Sequence, residues 1–238
     1  MGETVAGSGQ AGQGRLLPFL VEALGALRRR ELLVPALLLL LILTFTNIAI
    51  LANIPVRGVV PSAPFLAAAV ARLVGLLVLA VGILRILTHS RRPLWLPDGG
   101  FWLYLLTFAA SAGVNVAVAG LLGDRQDPVN LVARTVMVTL LLSPFMVWVV
   151  AIAVARPLAW RPGPWLRDLR RWWAPLAFWS LLAVTPMAVL HASIDIRLLK
   201  GAGELFWPLA LFDGALSTAM ALLALSLNAT AYRRVASR

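Results

Sequence analysis

Three charged residues stand inside long apolar runs of this chain: Arg72, Arg134 and Asp213. In a hydrocarbon surrounding such groups cost a few kcal/mol each even on lenient scales, so they face a protein interior, find partners or mark a ligand or ion site. Two amides, Asn47 and Asn115, interrupt apolar runs in the same way. Counted at about 1.5 Å per helical residue, Arg72 and Asp213 fall roughly 12 Å from one end of their helices and Arg134 about 8 Å. Both asparagines come to similar depths, so five polar groups from five helices share one layer. One carboxylate facing two guanidiniums leaves surplus positive charge, which an anionic ligand or lipid headgroup could neutralise. The plainer alternative is structural. The arginines snorkel toward the surface, an Arg–Asp pair pins two helices, and the amides are interhelical glue. Either way, Asp213 is expected within salt-bridge distance of Arg72 or Arg134, with Asn47 or Asn115 beside them. Catalytic signatures are absent: there is no P-loop, HExxH, GxSxG or paired-acid motif. There is no cysteine, and His89 and His191 stand too far from other ligands for a metal site. No cofactor is expected.

The elements that must hold this layer are membrane helices. Of 238 residues, 61% are hydrophobic and 13% charged, against about 45–50% and 25% in soluble domains. Runs of about 20 apolar residues, enough to cross a bilayer, occupy Leu32–Ala52, Pro64–Leu87, Gly100–Leu122, Val129–Ala155, Trp172–His191 and Leu205–Tyr232. The expectation is an all-α bundle of six transmembrane helices over 32–238. A flexible tail over 1–14 and an interfacial amphipathic helix over 15–31 precede it.

Charge orients the bundle. Fifteen arginines, including Arg28–Arg30, Arg85, Arg91, Arg92, Arg156, Arg161 and Arg233, fall on the side of both termini. Only Arg57, Arg125, Arg197 and Lys200 fall on the other. The positive-inside rule then places both termini in the cytoplasm. Twenty of the 21 basic residues are Arg, in a chain rich in Ala, Leu and Gly, a composition of GC-rich bacterial genomes. The expected location is therefore a bacterial inner membrane. The net charge of +11 points to anionic headgroups at the cytoplasmic face rather than to nucleic acid. A second amphipathic segment, Pro164–Trp173, sets Trp165, Leu169, Trp172 and Trp173 against Arg167, Asp168, Arg170 and Arg171, a pattern suited to the headgroup layer.

Two finer patterns stand out. Outgoing helices carry Thr46-Asn47-Ile48-Ala49, Val114-Asn115-Val116-Ala117 and Thr185-Pro186-Met187-Ala188, and each returning helix brings a charge: Arg72, Arg134, Asp213. The alternatives are three tandem hairpins and coincidence in a small membrane alphabet. Ala109, Gly113 and Ala117 form a small-residue ridge suited to close helix approach.

The entry, FLVEALGALRRRELLVPALLLL (19–40), and the exit, LNATAYRRV (227–235), resemble the six-span bacterial membrane proteins related to the membrane domain of glycerophosphodiester phosphodiesterases. The resemblance implies the six-span layout. In that family the membrane part is not the catalytic domain, and no phosphodiesterase domain is expected here. The reading that follows is a non-enzymatic membrane protein that binds or moves a small anionic or lipid-like ligand, or supports a membrane complex with a protein partner. The alternative is a membrane-embedded enzyme acting on lipid, with Asp213 as acid or base.

Overall fold

The computed structural model describes residues 10–55, 60–122, 128–155, 158–167 and 169–236. The side chains of 10–15, 128 and 169–171 are excepted. Among the described residues regular structure is entirely helical. Six helices are long and apolar enough to cross a membrane, as the composition demands: α2 (Arg30–Ala52), α3 (Ala63–Leu87), α4 (Gly99–Leu122), α5 (Val129–Val154), α7 (Trp172–Leu199) and α8 (Gly203–Ala236). The chain is a multi-pass membrane protein. Two further helices are α1 (Gln10–Ala26) and the single turn α6 (Gly163–Leu166). Helix α1 takes in Gln10–Gly14 from the expected tail, and residues 1–9 and Arg57 lie outside the described residues.

Even crossing number returns both termini to one end of the bundle, here the near end. Helix α1 is docked there by polar contacts that a purely interfacial helix would lack. Ser226 Oγ donates to the Ala23 carbonyl at 2.6 Å, and Glu22 pairs with Arg233 and Arg234, each at 3.1 Å. Its Phe19–Ala23–Ala26 face is buried, while the apolar residues Leu17, Val21 and Leu24 stay exposed. One face of α1 therefore belongs to the bundle, and the other is free for the headgroup boundary.

Proline shapes two spans. Pro144 lacks the N–H that an α-turn needs, and Ser143–Phe145 tightens to 3₁₀. Before Pro186 the chain widens into a π turn over Ser180–Val184. The expected ridge on α4 is not used inside the chain: Ala109, Gly113 and Ala117 are exposed, and a Cβ on Gly113 would meet nothing within 4 Å. Close approach occurs instead at Gly214, where an added Cβ would run into Thr44 of α2.

Arginine does much of the work at the near end. Arg85, counted in sequence among the loop charges, is wholly buried as a side chain. It donates to the carbonyls of Ala153 (3.1 Å), Pro93 and Leu96 (3.2 Å), and to Asp98 at 2.7 Å. Arg92 bonds the other Asp98 oxygen at 2.6 Å and the Ala155 carbonyl at 2.9 and 2.6 Å. Arg29 and Arg233 reach the last carbonyls of α3, at 2.8 and 3.0 Å. These guanidiniums satisfy helix C-terminal carbonyls and oppose the negative ends of the helix dipoles. Asp98 in turn accepts the Phe101 N–H at 2.9 Å and so starts α4.

Partial burial alone would push the Asp98 carboxyl up. The hydrogen bonds from Arg92 and the Phe101 N–H, with the charges of Arg85 and Arg92, outweigh it and hold Asp98 below its ordinary value. A depressed carboxyl contributes stability that is present above its unfolded pKa of about 4 and lost as pH falls through the lower folded value. The difference in unfolding free energy between wild type and Asp98→Asn in micelles should hold steady at neutral pH, toward the lower end of about 3–5 kcal/mol. It should shrink below about pH 4. A difference independent of pH down to acid would show that Asp98 does not serve as the ionised partner.

Candidate functional site

A cluster of six polar side chains sits toward the far end, supplied by four spans. Asn47 of α2 is at its centre and 5% exposed. Its carbonyl oxygen accepts from Arg72 Nη1 of α3 at 2.8 Å. Its Nδ2 donates to Asp213 Oδ2 of α8 at 2.9 Å and to Asp195 Oδ1 of α7 at 3.1 Å. The remaining Asp213 oxygen lies 2.6 Å from His191 Nδ1 of α7, and the Ser217 hydroxyl 3.2 Å from the same nitrogen. His191 Nε2 faces Asp195 Oδ2 at 3.5 Å, one helical turn on.

Local structure explains why these atoms meet. Gly214 follows Asp213, and its missing Cβ lets α8 rest on Thr44, one turn before Asn47. That close approach brings the Asn47 amide onto the Asp213 carboxylate. Helix α7 continues eight residues beyond its expected end at His191, to Leu199, so Asp195 is helical and lies one turn on from His191 at i,i+4. Beyond the cluster, Ile194, Leu198, Ala202 and Ala210, with Ile48 and Leu51, form an apolar plug at the far end. Asp213 is thereby 1% exposed, while His191 and Asp195 retain 19% and 30%. The site is buried on the α8 side and partly exposed on the α7 side.

Of the residues predicted from sequence, Arg72, Asn47 and Asp213 come together. The expected direct Arg–Asp bridge does not form. Asn47 is inserted between them because one amide offers an acceptor to the guanidinium and donors to the carboxylates. Arg134 and Asn115 form their own pair across α4 and α5, with Asn115 Oδ1 accepting from Arg134 Nε at 2.8 Å and Nη2 at 2.6 Å. The cluster's own hydrogen bonds and ion pairs run among Asn47, Arg72, His191, Asp195, Asp213 and Ser217. The single five-residue layer is thus two sites.

His191, read in sequence as isolated, is the opposite: with Asp195 and Asp213 it places three ligand atoms within 4.8 Å of one another. The signals were the i,i+4 spacing of His191 and Asp195 and the apolar residues Ile194, Ile196, Leu198 and Leu199, which extend the helix. Each hairpin shows a polar bridge between its helices: Asn47–Arg72, Asn115–Arg134 and His191–Asp213. In the third the outgoing partner is His191, five residues beyond the Pro186 that the shared strings aligned.

Charge decides what the cluster can do. With the imidazole neutral, two carboxylates against one guanidinium leave one net negative charge. A proton on His191 or a monovalent cation brings the set to zero, and a divalent ion carries it one unit beyond. His191, Asp195 and Asp213 are the residues that could hold a cation, with a nitrogen and oxygens suited to it. Comparison with protein-family models, curated proteins and solved structures finds no match for this chain.

Asn47→Ala should remove about 1–3 kcal/mol of stability, because it leaves a guanidinium and two carboxylates without their shared partner. Its effect should add to that of Asn115→Ala within about 0.5 kcal/mol, as for separate sites, and be strongly non-additive with Asp213→Asn. Unfolding of the single and double variants in bicelles measures both cycles. Coupling between the two asparagines would restore the single layer.

Proposed function

We propose that this chain is a non-enzymatic membrane protein that takes up one unit of positive charge, a proton or a small cation, at His191, Asp195 and Asp213. The observation that carries the reading is the imidazole held between two carboxylates, with Arg72 one amide away. The anionic ligand suggested by counting Arg134 into the site is disfavoured here, since Arg134 bonds Asn115 and Asp195 adds a second carboxylate. An enzymatic role for Asp213 as acid or base on lipid is disfavoured by its burial and by the engagement of both its oxygens. Partial exposure of His191 and Asp195 and closure by the apolar plug favour reversible occupancy over an open channel. The fifteen-to-four distribution of basic residues supports a bacterial inner membrane with cytoplasmic termini and anionic headgroups against the near end. Kinship with the membrane domain of glycerophosphodiester phosphodiesterases belongs to the same proposal. It rests on residues 19–40 and 227–235 and assigns no catalysis. A membrane-protein partner fits the exposed α4 ridge.

Potentiometric titration of the protein in nanodiscs tests the reading. Wild type should bind one more proton than His191→Gln, and added Na⁺ or K⁺ should release it from the folded protein. Asp213→Asn should weaken the cation response at least tenfold. Folded wild-type protein that shows neither the extra proton nor any cation-dependent release would refute the proposal.

A further inference from the structure

The near end holds a groove of about 1010 Å³ between the segment after α3, the segment after α5, α6 and the last turn of α8. Its walls include His89, Arg91, Trp160, Arg161, Trp165 and Tyr232. The framework is rigidly tied. Ser90 Oγ donates to the Val154 carbonyl at 2.8 Å, Trp148 Nε1 donates to the Ala159 carbonyl at 2.9 Å, and Trp165 packs on Tyr232 with ring centres 5.5 Å apart.

The helix ends that open here would present carbonyls, but Arg29 and Arg233 cover α3 and Arg92 covers α5. Arg91 and Arg161 are left over. Both are exposed, and neither makes a side-chain hydrogen bond or ion pair among the described residues. Two guanidiniums line one groove with no carboxylate among its described lining residues, an arrangement that suits an anion. A planar fork of donors matches phosphate oxygens. Trp160, 67% exposed on the rim, is a residue type that sits at the headgroup boundary. His89 adds a strained backbone. It ends α3 at φ +52°, with Ser90 N–H closing back to the Arg85 carbonyl at 2.9 Å. That turn favours glycine, and here it carries the His89 side chain to the rim of the groove.

We propose that this groove binds the phosphate of an anionic phospholipid headgroup, with Arg91 and Arg161 as the phosphate ligands and Trp160 anchoring the rim. The site shares no residue with the His191 cluster, so it stands or falls separately. It is a pocket for one headgroup, distinct from the diffuse attraction of the near-end arginines.

The test is binding of the full chain in zwitterionic nanodiscs titrated with phosphatidic acid or phosphatidylglycerol, read by native mass spectrometry as lipids retained. Wild type should retain one anionic lipid over phosphatidylcholine. Arg91→Gln with Arg161→Gln should weaken retention at least tenfold, Arg91→Lys with Arg161→Lys should restore part of it, and Arg28→Gln with Arg30→Gln, exposed arginines outside the groove, should leave it unchanged. Equal loss in both glutamine pairs would reduce the effect to surface charge and overturn the site. Unchanged retention in the Arg91/Arg161 pair would overturn it as well. Displacement of the lipid by millimolar inorganic phosphate would make the ligand a soluble phosphate and refute the lipid assignment.

Discussion

A bilayer core offers no water to a buried charge, so every ionised group placed there must be completed by protein. That constraint explains more of this molecule than helix propensity does. Arg72, Asp195 and Asp213 persist at depth because one amide, Asn47, serves all three at once. An amide suits the position because it accepts at one end and donates at the other while carrying no charge itself. A direct Arg72–Asp213 bridge would have satisfied two groups and left Asp195 without the Asn47 amide that now serves it.

The rest of the bundle serves that arrangement. Gly214 lets α2 and α8 touch at the level just below the cluster, and the apolar plug of Ile194, Leu198 and Ala210 closes it above. The π turn over Ser180–Val184 lies two to three turns before His191 on the same helix. Widened turns of this kind are frequent at functional sites, and here one lies on the span that carries His191 and Asp195. At the near end a different solution to the same constraint appears. There the helix carbonyls are covered by arginines, and Arg85 and Arg92 share Asp98.

The six spans were legible because run length and composition act locally: each helix needs only its own apolar residues. The charges inside those runs were legible for the same reason, as were Asn47 and Asn115. Their pairing was not. Equal depth along helix axes does not say which helices are neighbours, so Arg134 was grouped with Asp213 although it lies with Asn115. Asp195 was not legible because Ser193, Asp195 and Arg197 break the apolar run after His191, although Ile194, Ile196 and Leu198 carry the periodicity onward. The role of Arg85 was hidden because a basic residue near a helix end reads as a headgroup contact, and burial is a tertiary fact.

The state of His191 tests the central claim most directly. ¹⁵N-labelled histidine in bilayer-embedded protein, with the His89 signal removed by His89→Gln, gives one imidazole whose two nitrogens report their hydrogen bonds separately. The account predicts an Nδ1 hydrogen-bonded to a carboxylate, with a signal that shifts in Asp213→Asn and, through Asn47, in Asn47→Ala. An imidazole with the signature of free, solvated histidine, unmoved by either substitution, would contradict it.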